Sequence, residues 1–322
     1  MTAVPAEWAR QQAIWTAFPS DASLWEADLA PAQAEVAGLV RALARTVPVR
    51  LLASGAEAAE TARRSLGDVA EIHETAFGDI WLRDTGPIFL NAREARAFRF
   101  NGWGGKYDLP GDQDLADRVA DMAGAGLTRF DLVCEGGALD SDGQGLAITT
   151  EQCLLNPNRN PGLSKRDIEQ ILKAALGIRR LVWLGEGLRN DHTDGHVDNL
   201  ARFVAPGTVM IPVASGPDDP NAPVFADARA RAGEAGLVVL DCPSVGRFVF
   251  EDEVVPASHM NFVVANGQVI VPLYGGQSDA AALKAVARAF PRHRVSGLPS
   301  SHILTGGGSF HCITQQQPEA HP

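Results

Sequence analysis

Apolar residues recur at helical spacing in four stretches of the chain. Over 31–47, Val36, Leu39, Val40, Leu43 and Val47 fall on one face, and over 112–124 Leu115, Val119 and Met122 do so. The stretch 164–177 carries the strongest local signals. Ser164 with Asp167 three residues later forms a capping box; Ile168, Ile171, Leu172 and Leu176 make the stripe, and Gly177 is a natural stop. Over 278–290, Leu283, Val286 and Phe290 point inward and Pro291 ends the helix.

Between these helices the pattern shortens to strand pairs. One hairpin is expected over 137–155 with its turn at Asp142-Gly143, one over 196–212 turning at Pro206-Gly207, and one over 259–274 turning at Asn266-Gly267. Glycine in such dipeptides supplies the positive φ that tight hairpins need. Pro157, Pro212 and Pro272 close the second strands.

The units form a degenerate repeat. Each opens on a polar, potentially reactive residue: Asp84, Glu135, His196, His259 and Cys312, separated by 51, 61, 63 and 53 positions. A near-constant step with strands and a helix in each unit suggests radial repetition, as in a propeller, with equivalent strand ends facing one central site. The competing reading is a set of unrelated hairpins in a generic α/β protein. No Pro/Gly/Ser-rich linker divides the chain, so residues 1–322 read as a single domain.

Composition narrows the function classes. The 322 residues are 45% hydrophobic and 21% charged, a globular balance. No stretch approaches the roughly 18 uncharged apolar residues of a membrane helix, and the N-terminus, with Glu7 and Arg10, does not read as a secretory signal. A formal net charge of −11 makes nucleic acid a poor partner. A cationic substrate would suit it, although acidity also serves solubility alone. The four cysteines, Cys134, Cys153, Cys242 and Cys312, contain no C-x-x-C pair and are too few for a disulfide framework, so a reducing, cytoplasmic setting is expected.

Four segments concentrate reactive side chains. In Asp191-His-Thr-Asp-Gly-His-Val-Asp198, an extended backbone would turn His192, Asp194, His196 and Asp198 to one side. Such a set suits a metal hydrolase, or a metal-free pair with His196 as acid/base and Asp198 gripping a cation, or a satisfied polar loop. Gly195 argues against a rigid four-ligand strand. The run Gly306-Gly-Gly-Ser-Phe-His-Cys312 lacks the ending of a phosphate loop. Its glycines, Gly307 among them, permit close backbone approach to a ligand, and Cys312 just beyond is a candidate nucleophile or an inert core thiol. In Asp79-Ile-Trp-Leu-Arg-Asp84, an extended strand would put Asp79, Trp81 and Arg83 on one side and Asp84 on the other, before a Thr-Gly-Pro turn. Arg83 and Asp84 could also be a plain ion pair. In Cys134-Glu135-Gly-Gly137, Glu135 is either a buried carboxylate orienting a base or a turn residue.

Together these segments resemble the agmatine deiminase family, a Porphyromonas-type peptidylarginine deiminase family within the guanidino-group-modifying, or pentein, enzymes. The likeness is carried in order by Trp81-Leu-Arg-Asp84-Thr-Gly-Pro, Phe100-Asn-Gly-Trp-Gly-Gly105, Glu135-Gly-Gly, Leu154-Leu-Asn-Pro-Asn-Arg-Asn-Pro161, Gly195-His-Val-Asp198 and Gly306-Gly-Gly-Ser-Phe-His-Cys312-Ile-Thr-Gln-Gln-Gln-Pro318. The resemblance implies an α/β five-bladed propeller, the pentein fold, with pseudo-fivefold symmetry. It implies hydrolysis of agmatine to N-carbamoylputrescine and ammonia, with arginine, peptidyl arginine or another alkylguanidine as alternative substrates. Cys312 matches the nucleophile, His196 the acid/base, Asp84 and Asp198 the carboxylates that clamp the guanidinium, and Glu135 the carboxylate that holds the histidine. Asn261, Trp103 and Gly307 are the further substrate-binding candidates. No cofactor or metal is implied, and because relatives often self-associate the resemblance allows a homodimer. The chain is compact between Gly105 and Leu115, where relatives often carry a longer loop, so contacts with the distal end of the substrate are expected to differ.

Overall fold

A computed structural model describes residues 3–320. Five sheets share one build: an antiparallel pair, then a helix that returns the chain to a third strand parallel to the second. Ile88–Asn91, Glu94–Arg99 and Gly126–Val133 form one. Asp140–Ser141, Leu146–Thr150 and Arg180–Leu184 form the next. Arg202–Ala205, Thr208–Val213 and Val238–Pro243 follow, then Val263–Ala265, Gln268–Leu273 and Arg294–Pro299. The remaining sheet joins the two ends of the chain. Gln11–Phe18 pairs antiparallel with Thr314–Pro318 and parallel with Val49–Ala53, which continues to Glu71–Glu74. Val249–Phe250 and Glu253–Val254 add a small separate hairpin.

Each crossover helix buries an apolar stripe on its sheet. Leu29–Leu43 inserts Val36, Leu39, Val40 and Leu43 against Trp15, Phe18, Leu51 and Leu52, all fully or nearly fully buried. Burying a side chain of this size contributes about 1.5–3 kcal/mol. Lys165–Leu176 has the expected capping box at Ser164 and Asp167, and Gly177 ends it at φ +66°. Leu115–Ala123 and Asp279–Ala289 match the other two periodic stretches. Two further helices, Ala56–Leu66 and Ala222–Glu234, bury faces made mainly of alanine, which a stripe of larger apolar residues does not mark.

The hairpins form where expected but start later. Asp84, Glu135, His196, His259 and Cys312 do not begin strands; each lies in or beside a tight turn just ahead of one. The hairpin expected over 137–155 has its second strand end at Thr150, whose hydroxyl caps a helical turn over Glu151–Leu154, so Pro157 closes no strand. Pro212 and Pro272 do lie next to the ends of their strands. Among the described residues, no helix is long and apolar enough to cross a membrane.

Candidate active site

Four of the pre-strand turns bring Asp84, Glu135, His196 and Cys312 toward one place, and the remaining turn contributes Asn261. A cavity of about 220 Å³ opens there, with Asp84, Trp81, Trp103, Gly307 and Cys312 among its walls.

Cys312 follows the glycine run and is held by Asn261. The Asn261 amide donates to the Cys312 sulfur at 3.1 Å, and its Oδ1 accepts from the backbone N–H groups of His311 and Cys312 at 2.8 and 3.2 Å. The second amide hydrogen goes to Asn199 Oδ1. The Asn261 side chain is thus fully engaged beneath the nucleophile candidate. It is not among the residues lining the cavity, and it leaves the N–H groups of a guanidinium no free acceptor. Burial pushes the Cys312 thiol well above its ordinary value, and the Asp198 and Asp84 charges push it the same way.

Asp198 lies 3.6 Å from that sulfur through Oδ2, which also accepts from His311 Nδ1 at 2.7 Å. Its other oxygen, Oδ1, is buried with no partner. Burial opposes the Asp198 charge, but the His311 hydrogen bond and charge outweigh it and hold the pKa below the usual range. Behind it, His311 Nε2 is 3.3 Å from Glu7, which pairs with Arg202, and Arg202 in turn reaches Asp140 at 3.5 Å.

Asp84 accepts from the Gly137 backbone N–H through Oδ1 and from the Trp103 indole through Oδ2, both at 2.9 Å. Trp103 reaches it from a left-handed backbone position, φ +53°. Gly137 has no side chain for a spatial reason. A Cβ there would lie 2.6 Å from His196 Nδ1, 3.0 Å from Asp84 Oδ1 and 3.1 Å from Asp198 Oδ2. Burial raises the Asp84 pKa; His196 opposes this, while Asp198 and Glu135 add to it.

His196 stands between Asp84 and Glu135. Its Nδ1 is 3.7 Å from Asp84 and its Nε2 is 3.9 Å from Glu135, and neither nitrogen has a hydrogen-bond partner. Burial disfavours the imidazolium, but the Asp84 charge, with Cys153 and Glu135 close by, outweighs it and holds the pKa well above the ordinary histidine value. Glu135 is itself kept ionised against burial by His196 and by the Arg159 guanidinium, which donates to Oε1 at 2.7 Å in a fully buried pair.

Two backbone expectations fail. The 191–198 segment is not extended: Asp194 and Gly195 take φ +62° and +85°. Only His196 and Asp198 lie beside Asp84 and Cys312. Asp194 turns to Arg159 and Lys106 at 2.8 and 2.6 Å, and His192 sits at the rim beside the Tyr107 hydroxyl, 3.0 Å away. The four residues of the metal reading therefore do not converge. A different trio approaches, Glu135, Cys153 and His196, with ligating atoms within 4.8 Å. Glu135 there is already charge-balanced by Arg159. The 79–84 segment bends into a helical turn over Leu82–Thr85, fixed where Arg83 N–H donates to Cys312 O at 3.0 Å. The bend brings Trp81 and Asp84 to the same cavity. It sends Arg83 the other way, to His311 O and Gln316, so Arg83 is no partner of Asp84.

His259, the fourth repeat position, stays out of the site. Its ring bonds Pro272 O and Ser278, and burial lowers its pKa. Asn261, two residues on, takes the equivalent place. Sequence reading also missed Arg159, His311, Glu7 and Arg202. Arg202 carried a usable signal: a cation inside the apolar run Leu200-Ala-Arg-Phe-Val204 must find a buried partner. Tyr107 and Leu109, from the compact loop after Gly105, complete the outer wall.

Comparison with known proteins gives a consistent result. Residues 3–318 match the family model of the Porphyromonas-type peptidyl-arginine deiminases. The chain is 37% identical to the agmatine deiminase of Ectopseudomonas mendocina (strain ymp) over 98% of its length and 95% of that protein's. The agmatine deiminase structure of Enterococcus faecalis superposes with a TM-score of 0.91 at 31% identity, covering 99% of this chain and 96% of that one. A cysteine-to-serine variant of the C. jejuni agmatine deiminase with substrate bound gives 0.92 at 27% identity, covering 100% and 98%. The α/β pentein fold implied by the sequence motifs is the fold found.

Proposed function

The chain belongs to the Porphyromonas-type peptidyl-arginine deiminase family, and from that premise we propose that it is a cysteine hydrolase converting agmatine to N-carbamoylputrescine and ammonia. The similarity to agmatine deiminases supports the substrate. One observation carries the chemistry: the Cys312 sulfur shares a cavity with Asp84 and lies 3.6 Å from Asp198, whose Oδ1 is buried and free, with His196 adjoining Asp84.

A guanidinium is planar and presents paired N–H donors. Asp198 Oδ1 and the spare lone pairs of Asp84 accept them, fixing the central carbon near the sulfur. Before substrate arrives, the thiol is protonated, because two carboxylates and burial disfavour the thiolate. The bound cation offsets those carboxylates, so sulfur releases its proton as substrate seats. The thiolate attacks the carbon, giving a neutral tetrahedral adduct. His196, already an imidazolium, donates a proton to one –NH2 group, and ammonia leaves. A thiouronium cation remains on Cys312. Neutral His196 then takes a proton from water, whose oxygen attacks the same carbon. The C–S bond breaks, the thiolate returns, and the ureido product loses one proton, so ammonia departs as ammonium overall. A thiolate suits both halves, being nucleophilic at neutral pH and able to leave.

The roles are tested by incubating the protein with agmatine and with arginine, assaying ammonia and ureido product, and mapping the adduct of a haloacetamidine. Turnover of agmatine with the adduct on Cys312 is expected. Agmatine turnover in Cys312→Ala would overturn the proposal. The reading also places the enzyme in a reducing, cytoplasmic compartment, in keeping with four buried free thiols.

A further inference from the structure

At the reacting end the cavity is lined by Asp84 and Cys312, with Asp198 and His196 beside them. The outer end holds one more carboxylate, Asp79. Its two oxygens accept from two different indoles, Trp25 Nε1 at 2.9 Å and Trp81 Nε1 at 2.8 Å. The two rings stack with centroids 6.2 Å apart and planes 27° apart. The other end of the Trp81 ring borders the nucleophile. A Cβ on Gly308 would lie 2.6 Å from Trp81 Cζ3 and 3.1 Å from the Cys312 sulfur. Nε1 and Cζ3 sit at opposite ends of an indole, so the length of one ring separates the sulfur from the Asp79 hydrogen bond. Gly306 lies over both tryptophans at the same place; a Cβ there would be 2.8 Å from Trp81 and 2.9 Å from Trp25.

The wall has no opposing charge. No lysine or arginine lines the cavity among the described residues, and Lys106, in the loop after Gly105, is tied to Asp194 and to His192 O. Two indole donors leave each Asp79 oxygen a lone pair, and aromatic faces attract cations. An α-carboxylate would meet Asp79 with like charge, whereas a primary ammonium would meet it with opposite charge.

We propose that Asp79, clamped by Trp25 and Trp81, is the subsite for the distal ammonium of the substrate and sets the preference for a guanidine ending in an amine. The inference rests on the deiminase reading above. The Trp81 ring then acts as a spacer, with the guanidinium at its Cζ3 end and the ammonium at its Nε1 end, and the methylene chain lies along it.

The test compares agmatine with n-butylguanidine, which keeps the guanidinium and ends in a methyl group. The wild type is expected to favour agmatine in kcat/KM by about tenfold or more. Asp79→Asn should remove most of that preference, mainly through KM for agmatine, while butylguanidine turnover stays within about twofold. Trp25→Phe, which removes one hydrogen bond but keeps the charge, should retain the preference. Equal losses on both substrates in Asp79→Asn would mark Asp79 as a structural residue and overturn the proposal. So would a wild type indifferent to the terminal amine, a measurement that needs no variant. A wild type that turns over neither guanidine would instead defeat the deiminase reading itself, and this subsite with it.

Discussion

Asn261 holds Cys312 by both ends, its amide nitrogen 3.1 Å from the sulfur and its carbonyl oxygen on the backbone N–H. One side chain thus sets the position of the turn and the direction of the thiol. Asn261→Ala should leave the fold intact and lower kcat by roughly a hundredfold, the scale of a small misplacement of a reacting group. The check is steady-state kinetics beside a thermal melt. A variant with normal kcat would show that the turn orients the sulfur unaided.

In the proposed reaction His196 serves both half-reactions, so His196→Ala should be as damaging as Cys312→Ala. The double variant should be little worse than either single one, because residues acting as one unit are non-additive. Ammonia release measured across the three proteins decides it. Multiplying losses would mean that the two residues act in separate steps.

Gly137 lies within 2.6 Å, at its would-be Cβ, of His196 Nδ1, and close to both clamp carboxylates. Gly137→Ala should therefore reduce turnover by at least about a hundredfold while barely changing far-UV circular dichroism. Near-normal activity would show that His196 can retreat without losing its function.

The pH profile follows from two upward shifts, one on a carboxylate and one on an imidazole. In its proposed role Asp84 must be ionised to hold a cation, and burial raises its pKa, so kcat/KM should fall on the acid side above the ordinary aspartate range. His196 must be protonated; Asp84 and Glu135 hold its pKa well above 6.5 against burial, so activity should persist into alkaline solution. Glu135→Gln removes one of those supports and should move the alkaline limb to lower pH. An unmoved limb would assign it to another group.

Glu7 links stability to pH. Arg202 and His311 hold its pKa at about 2 against burial, compared with an ordinary value of 4.5. The folded value is depressed, so its stabilisation is complete above 4.5 and is lost as pH falls from there toward 2. The shift corresponds to about 3 kcal/mol. Glu7→Gln should lower the melting temperature at neutral pH and flatten its decline between those limits, as followed by melts across pH.

By itself the sequence determined what depends on chain neighbours. The capping box of Ser164 and Asp167, the stop at Gly177 and the turn at Asn266-Gly267 need only a few adjacent residues. The pentein likeness was legible, and Cys312, His196, Asp84, Asp198 and Glu135 could be picked out as candidates, because glycines and reactive residues sit in ordered local motifs. Tertiary structure decided which polar groups meet. The 191–198 segment alternates as a strand would, yet Asp194 leaves it for Arg159, because a buried guanidinium beside Glu135 draws a second carboxylate. Asn261 lies beneath the sulfur, and Glu7, three hundred positions from His311, supports the acid that faces it. Buried charges are stable only when paired, and the partner is chosen by how five sheets close around one point, which no stretch of sequence contains.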